Sequence, residues 1–240
     1  LKINQTATYQ LKIKKHMKIT DKNEALIAIK KSNDNFFSIY HFSDELKNDK
    51  EVVLAAVIKN GYNLQFASDE LQNDREVVLA AVKNQGNALR YASKELRVDR
   101  ELVLEAAKNN CYSLFENEFA HDNFKNDKEI ALVVVRQKGR LLRFIDDKLK
   151  IDKDVALEAV KQSDKAFPYI GFELQHNGEF LLEAIEQNPE VFNCVKKELK
   201  NNKEFVLKAV KKNFNILQYV RSDLKEEINK KIQDLINNLK

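Results

Sequence analysis

The stretch Asp74-Arg75-Glu76-Val77-Val78-Leu79-Ala80-Ala81-Val82-Lys83 recurs, with variation, along nearly the whole chain. Asp49, Asp99, Asp127 and Asp152 open further copies, Asp21 opens a first one, and Asn177 and Asn202 open weaker ones. From Asp21 onward the spacings are 28, 25, 25, 28, 25, 25 and 25 residues, so two copies carry three-residue insertions. A period of this size marks a solenoid, in which each unit buries its apolar face only against its neighbours.

With the opening Asp as position 1, position 6 is Leu in all eight copies: Leu26, Leu54, Leu79, Leu104, Leu132, Leu157, Leu182 and Leu207. Position 8 is Ala except at Val134, and position 9 is Ile, Val or Ala. Apolar residues at positions 5, 6, 8 and 9 span about 160° of a helix, which predicts an amphipathic first helix. Alanine at position 8 admits a close neighbour. The opening Asp is an N-cap, and the acid at position 3 suits the positive end of the helix. Gly61, Gly86 and Gly139 at position 13 read as left-handed C′ residues that stop this helix.

A second helix is expected from the bulky apolar residue at position 16 (Leu64, Leu89, Leu142, Leu217), the small or branched one at 19 and the Leu at 23. Ser43, Ser68 and Ser93 at position 20 read as caps of its last turn. The two helices come to about 11 and 9 residues, each too short to hold alone in water. Pro168, with Gly171 close behind, predicts a kink in the sixth copy. Ile228, Ile232, Leu235 and Leu239 recur at helical spacing in a polar run, the pattern of a C-terminal cap.

Composition agrees with a helical array: 43% of residues are hydrophobic and 32% charged, with only five Gly and two Pro. The net charge of +4 lies in the lead segment, where Lys2, Lys12, Lys14 and Lys15 precede the first acid, Asp21. Without them 37 basic residues face 37 acids, so electrostatic capture of nucleic acid is not the expected business of the array. Cys111 and Cys194 fall about three repeats apart, too far for a bridge, which suits a reducing compartment. No apolar run approaches the roughly 20 residues of a membrane span. Leu1 to His16 lacks the apolar core of a secretory signal, its alternation from Ile3 to Ile13 suits a short strand, and Met17 is the expected natural start.

The phrase from Asn73 to Gly86, followed by Leu89, Tyr91-Ala92-Ser93 and Glu95-Leu96, resembles the family called domain of unknown function 4116. The resemblance is strongest from Ser43 to Asn109, recurs from Asn126 to Lys161 and covers most of residues 21–226 in weakened form. It implies a repeat scaffold, used against host or cellular proteins, in a family associated with bacteria of amoebae, protists and large DNA viruses. It implies no catalytic residue.

Motifs for chemistry are absent from the sequence. His16, His41, His121 and His176 form no metal pattern, the two cysteines lack a base, and the glycines stand one per turn. Acids recur with the repeat, as caps and solvated groups do. No enzyme activity, cofactor or metal is expected. Two ladders remain. Position 18 is aromatic in Phe66, Tyr91, Phe119, Phe144, Tyr169 and Tyr219, read either as rings buried between repeats or as the lining of a groove. Positions 17, 21 and 24 share one face if the second helix persists, and carry Arg90, Lys94, Arg97, Arg143, Lys150, Lys197 and Lys200. These seven, with Tyr91 and Phe144, are the candidate partner-binding residues, suited to an acidic segment touching several repeats. The bases at position 2, such as Lys50, Arg75 and Lys128, read as a zwitterionic edge cancelled by the acids beside them.

The sequence therefore predicts an all-α, right-handed α-solenoid: a lead segment over 1–20, about eight 25-residue helix-hairpin repeats over 21–226 and a capping helix over 227–240. The expected role is a monomeric, non-catalytic scaffold for a protein partner, in the cytoplasm or delivered into a host cytosol. The alternatives are a single-stranded RNA binder and a targeting module of a larger enzyme.

Overall fold

The computed structural model describes residues 18–32, 37–111 and 122–237, and its regular elements are helices apart from one isolated bridge between Ile19 and Phe42. Residues 1–17 of the lead segment, with Met17, the aromatic Phe119 and the last apolar residue Leu239 lie outside the described residues. The chain divides into two compact units, residues 1–124 and 125–240, each an all-α repeat stack.

The first helices of the repeats are α1 (Lys22–Lys31), α2 (Lys50–Lys59), α3 (Arg75–Asn84) and α4 (Arg100–Asn109) in the first unit. In the second they are α5 (Lys128–Gln137), α6 (Lys153–Gln162), α7 (Gly178–Gln187) and α8 (Lys203–Lys212). A longer helix, α9 (Ser222–Asn237), closes the chain, with Leu224 and Ile228 buried. Position 1 caps all eight: the side chains of Asp49, Asp74 and Asn177, for example, accept the N–H groups of Val52, Val77 and Phe180 at 3.1, 3.2 and 2.9 Å. Each such cap contributes about 1 kcal/mol.

The buried stripe is rotated from the one the sequence suggested. Positions 4, 5, 8 and 9 are inside, as in Val52, Val53, Ala56 and Val57 of α2 or Phe180, Leu181, Ala184 and Ile185 of α7. The invariant Leu at position 6 is fully buried only at Leu104 and Leu157; in the other six repeats it is half-buried at the outer edge of the stripe. Within each unit, α1 packs on α2, α2 on α3 and α3 on α4, then α5 on α6, α6 on α7 and α7 on α8.

The glycines at position 13 end no helix by a left-handed turn. The residue before each leaves the helix in extended conformation, Asn60 at φ −150° and ψ 108°, and none of the glycines has positive φ. They serve a close approach instead. A Cβ on Gly61, Gly86 or Gly139 would stand 2.4, 2.6 or 2.2 Å from the carbonyl oxygen of Ala81, Ala106 or Ala159, at position 8 of the next repeat. Glycine at 13 and alanine at 8 are thus two halves of one contact.

The expected nine-residue second helix is also corrected, because it is two elements. A 3-10 helix fills positions 13–18, as in Gly61–Phe66, Gly86–Tyr91 and Gly139–Phe144. An extended residue at position 19 breaks it (Ala67 at φ −67°, ψ 157°), and a one-turn helix follows, as in Asp69–Gln72. Ser43 and Ser68 cap those turns, as expected. No break accompanies Pro168, which lies inside a 3-10 helix of the usual six residues, Asp164–Tyr169.

Candidate interaction surface

Which polar groups remain open to a ligand depends on which ones the stack already uses. Position 2 comes first. Lys22 reaches Asp49 and Glu51 of the following repeat at 2.8 Å each, and Lys50 reaches Asp74 and Glu76 at 2.7 and 2.8 Å. Arg75 holds Asp99 and Glu101 in the same way, and in the second unit Lys128 holds Asp152 and Asp154 at 2.8 Å each. The edge read as locally cancelled is therefore a clamp between successive repeats. The two acids raise the pKa of each lysine. Asp49 is held below the usual aspartate range chiefly by the Lys22 ammonium. For Asp74 and Asp152 partial burial pulls upward, and the lysine bond with the helix N–H groups outweighs it.

The clamp lapses where the opening residue is Asn. Lys153 turns to Glu183 at 2.6 Å instead of Asn177, and Gly178 offers no cation toward Asn202. Gly178, Leu182, Asn202, Glu204 and Phe205 there line a cleft of about 440 Å³, in which Glu204 already pairs with Lys208 at 2.7 Å.

A second tie went unnoticed in the sequence. Amides at positions 11 and 12 reach back to the preceding repeat, where the first helix ends with unmatched backbone groups. Asn84 accepts the Gly61 N–H at 2.9 Å and donates to the Ile58 carbonyl at 3.0 Å; Asn109 does the same for Gly86 and Lys83 at 3.0 Å each. Gln162 accepts from Gly139, and Asn188 donates to the Val160 carbonyl. The recurrence of Asn or Gln at the end of the first helix was the available signal. A third tie is backbone alone: Ser68 to Lys47 and Ser93 to Gln72 in the first unit, Asp146 to Lys125 and Gly171 to Lys150 in the second.

The polar ladder at positions 17, 21 and 24 does not form one helical face, since the extended residue at 19 separates the first from the other two. Position 24 turns inward. Gln72 donates to the carbonyls of Leu64 and Ala67, and Lys200 donates to the Asn193 carbonyl at 2.9 Å. Lys150 pairs with Asp147 at 2.8 Å, and Arg97 is half-buried. Lys150 and Lys200 thus serve their own repeats.

Positions 17 and 21 point outward. In the first unit Arg90 and Lys94 are exposed, and the Arg90 guanidinium lies over the Tyr91 ring at 5.1 Å. In the second, Arg143 lies over Phe144 at 4.3 Å, and Lys197 is exposed in a later repeat. Among the described residues none of these four cations has a carboxylate partner. The rings at position 18 (Phe66, Tyr91, Phe144, Tyr169 and Tyr219) are half-buried, neither sandwiched between repeats nor fully open. Tyr40, 59% exposed, extends the row in the first unit by an edge contact with Phe66 at 5.5 Å.

Among the described residues no group of three His, Cys, Asp or Glu side chains could hold a metal ion. His16 and His121 lie outside them, and His176 stacks on Phe172 with ring centres 3.9 Å apart. Cys111 is buried, and burial pushes the Cys194 thiol up, away from the thiolate a nucleophile needs. No described helix is long and apolar enough to cross a membrane.

A family model for the Domain of unknown function (DUF4116) matches residues 21–72, 49–97, 74–125, 99–150, 127–175 and 177–225. Each match takes in about two repeats, and several overlap by one. No curated protein and no solved structure matches the chain.

Proposed function

The chain belongs to the family of domain of unknown function 4116, whose repeats run from residue 21 to residue 225, and on that premise we propose that it is a non-catalytic scaffold that holds an acidic segment of a partner protein. One observation carries this reading. Lys22, Lys50, Arg75 and Lys128 are consumed by the clamp, and Lys153 and Lys203 pair with other acids, while Arg90 and Lys94 in the first unit and Arg143 and Lys197 in the second stand exposed with no carboxylate partner among the described residues, Arg90 and Arg143 each on a half-buried ring. A guanidinium resting on an aromatic face keeps its N–H edge turned to solvent, oriented for two-point contact with a carboxylate. Such arginine–aromatic anchors are the groups that dominate protein interfaces.

The test is affinity capture with mass spectrometry, with and without nuclease, using the natural sequence and the triple variant Arg90→Glu, Lys94→Glu, Arg143→Glu. A nuclease-resistant protein partner rich in acids is expected, with binding weakened at least tenfold by the reversal and melting temperature unchanged. Binding that survives the reversal would remove the surface from consideration. Recovery that depends on nucleic acid, with affinity falling steeply in salt, would favour the RNA-binding alternative.

A further inference from the structure

The outward face of the first helices, formed by positions 3, 6, 7 and 10, changes character along the chain. In α4 and α6 it is charged: Glu105 pairs with Lys108 at 3.9 Å, and Glu158 pairs with Arg136 at 3.2 Å. The invariant leucines next to those acids, Leu104 and Leu157, are only 8% and 7% exposed. In α1, α2 and α3 position 7 is Ile27, Ala55 and Ala80, apolar in all three, and Leu26, Leu54 and Leu79 beside them are half-buried. The middle helix is the extreme case. Val52 to Ile58 is an unbroken apolar run, and Ile58 is 63% exposed. A helix apolar on all sides is normally covered on all sides. Here Val52, Val53, Ala56 and Val57 face the stack, while Leu54 and Ala55 are half-buried at its outer edge and Ile58 stands exposed.

We propose that this face of α1–α3 docks against the same face of a second copy of the chain. Its two edges are charged in a self-complementary way. At the N-terminal edge the runs Asp49-Lys50-Glu51 and Asp74-Arg75-Glu76 each carry two acids for one base, with Glu51 and Glu76 67% and 68% exposed. At the C-terminal edge Lys30, Lys59 and Lys83 make no ion pair among the described residues. A two-fold axis lying in the interface, perpendicular to α2 and passing between Leu54 and Ile58, sets the helices antiparallel. It lays the acidic edge of each copy over the ammonium edge of the other and apolar centre on apolar centre. Three helices about 15 Å long and about 10 Å apart offer a footprint of roughly 450 Å² per copy, about half of a standard interface. The dimer is accordingly weak, in place of the monomer expected from the sequence, and it leaves the basic–aromatic surface to its own ligand.

Sedimentation equilibrium of the full chain from micromolar to millimolar concentration tests it. A monomer–dimer equilibrium is expected. Ile58→Asp should raise its dissociation constant more than tenfold with circular dichroism unchanged, since Ile58 is an exposed side chain. Lys83→Glu and added salt should weaken it, and Phe214→Asp, which alters a 61% exposed residue at the start of a 3-10 helix in the second unit, should not. A chain monomeric at millimolar concentration overturns the proposal. So does a dimer indifferent to Ile58→Asp, or one dispersed equally by Phe214→Asp.

Discussion

An added Cβ at Gly86 would sit 2.6 Å from the Ala106 carbonyl oxygen, a backbone atom fixed by the next repeat, whereas at Gly178 it would meet nothing within 4 Å. The same methyl group therefore has opposite consequences at the two sites. Gly86→Ala should cost about 1–3 kcal/mol, as overpacking does, because two helices must separate to admit it. Gly178→Ala should be neutral or stabilising by up to about 1 kcal/mol, since alanine restricts the unfolded chain and suits a helix better. Urea unfolding of both variants separates these outcomes, and equal effects would remove the close-approach account of position 13. Spacing alone pointed to that position but misread it. Positive φ and a crowded backbone both demand a missing Cβ, so the sequence of Gly61, Gly86 and Gly139 reads the same under either. The amides of Asn84 and Asn109 were overlooked for a related reason, because a polar residue near a helix end looks like a solvated one until its partner in the preceding repeat is seen.

Among elements, the first helix was the most legible. Its caps, its length and its alanine at position 8 all follow from local pattern, and only the angle of its buried stripe shifted, since four neighbouring apolar positions leave two adjacent choices for the inner face. The second helix was less legible. Apolar residues at 16, 19 and 23 fit one helix or two short ones equally well, and the extended residue at 19 carries no Gly or Pro to announce it. That break decided the fate of the candidate residues: it left Arg90, Lys94, Arg143 and Lys197 outward and turned Lys150 and Lys200 back on their own repeats. The clamp between first helices gives an element-scale expectation. Asp49, Asp74, Asp99 and Asp152 have lowered pKa values, so their stabilisation is complete above the unfolded value of about 3.9 and is lost as pH falls through the lower folded values. Helicity should hold steady from neutral pH down to about 4 and fall cooperatively below it. Asp49→Asn, which keeps the cap as Asn177 and Asn202 do, should flatten that acid transition. Lys22, Lys50 and Lys128 act in the other direction: their raised pKa values give stability that is lost only as pH climbs past 10.5. An acid transition unchanged in Asp49→Asn would assign the acid sensitivity to other carboxylates.

For the whole molecule, the period predicts that every tie joins a repeat to its immediate neighbour, and within each unit the ties observed obey it. Nothing in that logic ranks one repeat above another, so a complete repeat should be removable from within the first unit. Without residues 74–98, Asp99 would follow Asn73 as Asp74 now does. Lys50 would find Asp99 and Glu101 in place of Asp74 and Glu76, the partners Arg75 now holds. Gly61 would meet the Ala106 carbonyl in place of Ala81, and Asn109 would take over from Asn84 at the Gly61 N–H and the Ile58 carbonyl. The shortened chain should fold with the same helicity per residue and a denaturant slope smaller by about a tenth, in line with the surface removed. Cutting only residues 74–86 would leave Lys50 and Gly61 without those partners, and that chain should not hold its first unit together. If the full-repeat deletion aggregates or unfolds while the half-repeat deletion survives, stability does not reside in nearest-neighbour contacts, and the account of the clamp, the amides and the glycines as one repeating joint fails with it.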